Sequence, residues 1–204
     1  MNVFYEEDGG FKVGAILADN DTSLQVEAPH GKRSKVKASA VLLRFESPAH
    51  TAFMPAVRTQ ADAIDIDFLW QCCGAEDFGY DTLAREYYGQ APDAVQSAAV
   101  LTRLHSAPMY FYKKGRGRYK AAPEEALKAA LASVERKHLQ ALAKAAYVDE
   151  LAAGRMPESF QPLLDTLLYK PDKNSIEWKA LDEASAAAKL SGINRAHQIW
   201  SPAR

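Results

Sequence analysis

The sequence predicts an α+β fold: a small antiparallel β-barrel at the N-terminus, then helices and a β-hairpin, then a helical extension. Three observations carry this. Over residues 1–47, short segments rich in β-branched and aromatic residues alternate with turn signals. From Ala61 onward the apolar spacing lengthens to that of helices. After three such runs, two aromatic-rich segments flank a Gly-Arg-Gly turn, and long alanine-rich stretches follow.

The first segments are "NVFYEE", "FKVGAILAD", "SLQVEAP" and "SKVKASAVLLRF", separated by Asp8-Gly9-Gly10, Asp19-Asn20-Asp21 and Pro29-His30-Gly31. Alternation in Leu24, Val26, Ala28 and in Val36, Ala38, Ala40 suits half-buried strands, giving a barrel of SH3-like or OB-like type over 1–47. "ESPAHTAFMP" has two prolines and no clear period, and reads as a linker. Ala63, Ile66, Leu69, Trp70 and Cys73 then fall on one helical face, stopped by Gly74. Asp81 is placed to cap "TLAREYYG", which Gly89 closes. A third helix has Pro92 near its first turn, the stripe Ala98, Leu101, Leu104, and Pro108 beyond its end. Three short helices and then a hairpin near 109–121 is the element order of a winged helix, assigned to 57–123.

Residues 124–192 are expected to be the helical extension. It opens with a long helix, Glu124 to Ala153, whose glutamates lead and whose end is marked by Gly154 and Pro157. A shorter helix broken by Pro171 follows, then one capped by Ser175 and stopped by Gly192. Residues 193–204 form a tail with no strong signal.

Net charge is −1 and the isoelectric point about 6.5, so any pull toward a polyanion has to be local. Locally it is strong: Lys113, Lys114, Arg116, Arg118 and Lys120 lie within eight residues. Tyr110, Tyr112 and Tyr119, with Phe111, are interleaved with them. Cations for phosphates and flat faces for bases are what single strands require. The plainer alternative is a solvated hairpin whose rings pack inward while its lysines protect an edge. A second basic strip, Lys32, Arg33, Lys35 and Lys37, reads equally as an RNA-facing strand or as edge protection.

Other chemistry has less support. Asp62, Asp65 and Asp67 lack a further ligand to complete a magnesium cage and read as acidic residues of early helical turns. The five histidines are scattered, and the adjacent Cys72 and Cys73 read as packing residues. No motif for acyl transfer or nucleotide hydrolysis occurs. The N-terminus lacks the basic and apolar regions of a signal peptide, and no apolar run approaches the roughly 20 residues of a membrane span. A cytoplasmic protein without membrane partners is expected.

The stretches "NVFYEEDGGFKVGAILADNDTSLQVEAPHGKRSKVKASAVLLRF", "IDIDFLWQCCG", "APMYFYKKGRGRYKAAP" and "LLYKPDKN" resemble the N-terminal region of bacterial RNB-domain exoribonucleases of the ribonuclease II/R type, in the branch that contains a winged helix. The resemblance runs from residue 2 to about residue 190. It implies 3′-to-5′ RNA degradation by a magnesium-holding aspartate cluster in a separate, larger domain with a "DD...T.EIDDA"-type motif, which nothing here matches. Asp65 and Asp67 lie in a different motif and do not inherit that role. The implied function is therefore binding of single-stranded RNA and its guidance to a catalytic domain outside this sequence, with no catalytic residue and no cofactor in the chain itself. Two rival readings stay open: a subunit completing a nuclease with a separate catalytic chain, and a DNA-binding winged-helix regulator. The third helix weakens the latter, since Arg103 is its one cation.

Overall fold

The computed structural model describes residues 1–187. The chain divides into two units, Met1–Lys128 and Ala129–Arg204. The predicted stop at Gly192 and the tail 193–204 lie outside the described residues.

Five strands open the first unit: β1 (Asn2–Glu7), β2 (Gly10–Asp19), β3 (Ser23–Glu27), β4 (Arg33–Lys37) and β5 (Val41–Phe45). All pairings are antiparallel, in the order β4-β3-β2-β1-β5. The predicted turns are where the chain reverses. Asp8 and Gly9 both have positive φ, the two-residue geometry that matches strand twist. The barrel is not closed, however: β5 pairs with β1, so β4 and β5 are the two edges. A 3-10 turn, Ala38–Ala40, breaks the predicted single strand "SKVKASAVLLRF", and beyond it β5 pairs with β1 at the far side of the sheet.

Strand periodicity explains why β1 is buried on both faces. Val3 and Tyr5 point into a small core with Leu24, Val26 and Val36. Phe4 points the other way, into a larger cluster with Val13, Phe45, Phe53 and Val57. Residues 1–47 and 57–123, expected as successive domains, thus share one hydrophobic cluster.

The predicted linker is largely helix. α1 (His50–Asp62) contains Pro55, which removes one backbone donor, but Phe53, Val57 and Ala61 form a fully inward stripe at i, i+4 and i+8 that outweighs it. Helix α2 (Ile66–Gln71) starts only after a break, because Asp65 caps it: its carboxylate accepts the N–H groups of Asp67 (2.9 Å) and Phe68 (3.1 Å). Ala63, expected on the helical face, is exposed between the two helices. Four helices, not three, therefore precede the hairpin. A short strand, β6 (Asp77–Gly79), leads into α3 (Tyr80–Tyr88), whose N-cap is Gly79; Asp81, the expected cap, lies in the first turn. Gly89 closes α3 in the left-handed conformation, as predicted. Helix α4 (Ala94–Ser106) begins with a capping box between Asp93 and Gln96 and buries Ala98, Leu101 and Leu104. The hairpin is β7 (Phe111–Gly115) and β8 (Arg118–Ala121), and β6 joins it in the order β6-β8-β7.

Helix α5 (Glu124–Ala152) ends near the left-handed Gly154, as the sequence indicated. In the second unit the segment after Pro157 is a 3-10 stretch, Glu158–Leu163, and then α6 (Leu164–Tyr169). Helix α7 (Ile176–Ala187) starts at Ser175, whose hydroxyl accepts the Trp178 N–H at 3.1 Å. Leu151, Phe160, Leu167, Leu181 and Ala184 form the core of this unit. Among the described residues no helix is long and apolar enough to cross a membrane.

Candidate nucleic-acid interface

The cross-strand register of the hairpin decides which of its side chains can meet a ligand. Tyr112 stands opposite Lys120, and Lys113 opposite Tyr119, which in turn stands opposite Phe78 on β6. The row containing Tyr119 and Phe111 faces inward: both rings are at most 2% exposed. The Tyr119 hydroxyl lies 3.3 Å from His105 Nδ1 on α4, and burial, with Glu6 adding to it, pushes its phenol up to about 12. Tyr110 is buried too and donates its hydroxyl to Asp67 Oδ1 at 2.9 Å. Tyr110 and Tyr119, expected to stack on bases, are therefore packing residues whose faces are covered. Tyr112 differs from both: it is 40% exposed on the outer face.

The five cations also divide. Lys113 shares the inward row, and its ammonium pairs with Glu6 of β1, whose side chain is only 12% exposed. The Arg116 guanidinium donates to the Ser39 carbonyl and lies 3.9 Å from the same carboxylate. These two hold the hairpin to the sheet. Lys114, Arg118 and Lys120 have no ion pair among the described residues. Asp77 stands opposite Lys120 in register.

The second strip follows the same logic. Val36 is buried, so Lys35 and Lys37 face outward on an edge strand, without ion pairs among the described residues. Arg33 pairs with Glu27 at 3.0 Å, while Lys32 is exposed in the preceding turn. The strips meet through Arg116, which grips the turn immediately after Lys37. At that joint a polar cleft of about 430 Å³ is lined by Ser39, Val41, Tyr80, Asp81, Arg116 and Arg118.

Tyr80 fixes the joint. Its hydroxyl donates to the Leu42 carbonyl at 2.7 Å and its N–H to the Gly117 carbonyl at 2.9 Å, so sheet, α3 and hairpin tip share one residue. Burial, with Asp81 adding to it, pushes its phenol up to about 12. Sequence reading overlooked both Tyr80 and Glu6. For Glu6 a signal existed: it stands two residues from Phe4, on the helix-facing side of β1.

The acidic triplet separates by role. Asp65 caps α2, Asp67 accepts from Tyr110, and Asp62 is the last residue of α1 instead of lying in a first helical turn. Among the described residues no group of three or more His, Cys, Asp or Glu is placed to hold a metal ion. Cys73 donates its thiol to the Leu69 carbonyl at 3.3 Å, and burial pushes it up to about 12. Compared with protein-family models, curated proteins and solved structures, the chain gives no match.

Proposed function

We propose that the chain is a single-stranded RNA-binding module of the kind found ahead of the catalytic domain in RNB-type exoribonucleases, with its hairpin as the wing of a winged helix and its open sheet an SH3-like element. The observation that carries the binding reading is the meeting of the two basic strips at the Arg116–Ser39 contact. It gives a backbone a path from Lys35 and Lys37 past the cleft to Arg118, Lys114 and Lys120, with Tyr112 beside it. The family assignment rests on the sequence resemblance alone. Asp65 and Asp67 each direct Oδ1 to protein donors, the one as a helix cap and the other toward Tyr110, and no hydrolytic step is assigned to this chain.

The duplex-DNA reading loses ground at α4. Its one arginine, Arg103, donates Nε–H to the Ile64 carbonyl at 3.1 Å, and six of its residues are buried, leaving little to read base edges.

Fluorescence anisotropy of a labelled single-stranded RNA 12-mer over a salt series tests the proposal. If Lys35, Lys37, Lys114, Arg118 and Lys120 each neutralise a phosphate, log K falls with log salt at a slope of about −3.5, at −0.7 per contact. The double variants Lys35→Glu/Lys37→Glu and Lys114→Glu/Arg118→Glu should each weaken binding and flatten the slope. Unchanged affinity in both overturns the reading, and stronger competition by duplex DNA transfers it to the regulator.

A further inference from the structure

A cavity of about 510 Å³ lies beside the wing, between the end of α2 and the junction of β8 with α5. Its walls include Trp70, Gln71, Cys73, Lys120, Ala122 and Pro123. The indole is anchored in the wall, because Nε1–H donates to the Ala122 carbonyl at 2.9 Å. Its one polar atom is thus satisfied, so what Trp70 offers a ligand in this wall is aromatic carbon. The Cys73 thiol is likewise satisfied and uncharged, an apolar wall. Gln71, exposed at the mouth, supplies an amide with both donors and acceptors. Lys120, partly exposed, is the cation in the lining, and Arg118 follows on the same outer face two residues away, about 6.6–6.8 Å along the strand. That step is comparable with the advance from one phosphate to the next in an extended single strand.

We propose that this cavity is a nucleobase subsite: one base of a single-stranded RNA enters against the Trp70 face while its phosphate rests on Lys120. The inference rests on the RNA-binding reading and goes beyond it, since charge alone needs no pocket. A fixed aromatic face, a small apolar chamber, one amide and a cationic rim match a base joined to a phosphate. An aliphatic ligand would have no use for the Lys120–Arg118 row. The subsite also supplies the second stacking ring that Tyr110 and Tyr119 do not.

The chain has three tryptophans, so Trp178→Phe/Trp200→Phe leaves Trp70 as the sole indole reporter. Unlabelled hexa-adenylate should change Trp70 emission saturably, with the same midpoint as anisotropy of the labelled oligomer. An abasic hexamer of equal charge should bind about tenfold more weakly, as loss of one stacked base implies, and leave the emission unchanged. Hexa-adenylate binding with a silent Trp70, or an equal response to the abasic strand, overturns the subsite while leaving the RNA reading intact. Absence of any binding by anisotropy at low salt overturns both.

Discussion

Replacing Gly117 by alanine should destabilise the first unit more than the same change at any other left-handed glycine among the described residues of that unit. Gly117 has φ +64°, and a Cβ built there would lie 2.9 Å from Tyr80 Cδ1 and 3.1 Å from Cε1. The backbone term for a non-glycine residue in this conformation is about 1–2 kcal/mol. Relief of the contact requires the Tyr80 ring to move. That ring is 9% exposed, tethered through its hydroxyl to Leu42 and through its N–H to Gly117 itself. Forcing one methyl into such a site adds about 1–3 kcal/mol, giving about 2–5 kcal/mol in all. Gly89 is the internal control: its φ is +67°, but nothing lies within 4 Å of its added Cβ, so Gly89→Ala should show the backbone term alone. Gly115→Ala, with only an ordinary 3.9 Å contact and no positive φ, should be nearly neutral. Urea unfolding followed by Trp70 emission in the Trp178→Phe/Trp200→Phe background measures all three, since Trp70 lies in the first unit. Equal losses in Gly117→Ala and Gly89→Ala would refute the claim that Tyr80 is a rigid joint between hairpin and sheet.

Other consequences are equally direct. Glu6→Gln releases Lys113 and Arg116, so RNA affinity should rise and the salt slope steepen by up to about 1.4, two contacts at 0.7 each; an unchanged slope shows that Glu6 masks no phosphate contact. Because Tyr80 and Tyr119 ionise near 12 when folded and near 10 when unfolded, the unfolded chain loses these protons first, and stability should decline as pH rises from 10 toward 12. Thermal melts between pH 9 and 11 should show that decline, with a shallower slope in Tyr80→Phe/Tyr119→Phe. Asp93→Ala removes the acceptor of the Gln96 N–H at 2.7 Å and should cost about 1–2 kcal/mol, most of it restored by Asn.

Legibility in the sequence followed the range of the interaction. The turn at Asp8-Gly9, the left-handed end at Gly89 and the stripe Ala98, Leu101, Leu104 are local, and each is where the residues place it. Helix α1 was hidden because Pro55 argues locally for a break, whereas the burial that overrides it comes from Phe4 and Phe45 packed on Phe53. The path of β5 was hidden too, since pairing with β1 is a non-local choice. In the hairpin, alternation says that Tyr112 and Phe111 face opposite ways, but not which way is inward. That depends on α4 and β6, and on the register shift between Lys113 and Gly115. The Lys113–Glu6 pair spans 107 positions, and no spacing rule reports it.

The same pair changes what a cluster of charge means. Five cations in eight residues suggest five phosphate contacts, yet two of them are spent within the molecule. Their effect on binding is indirect and opposite in two respects. Neutralising Lys113 and Arg116 with a mostly buried carboxylate lowers the long-range attraction. Fixing the hairpin to the sheet, however, removes motion that a ligand would otherwise have to freeze, and ordering costs of about 0.5–1.5 kcal/mol per mobile side chain weigh directly on affinity. Lys114, Arg118 and Lys120 then project from a braced strand pair, with Arg118 in line with the cleft and Lys120 at the cavity mouth. A near-neutral chain can in this way present a defined row of positive charge, because Glu6 lies beneath the hairpin and positions Lys113 and Arg116, while on the outer face Asp77 stands opposite Lys120 alone.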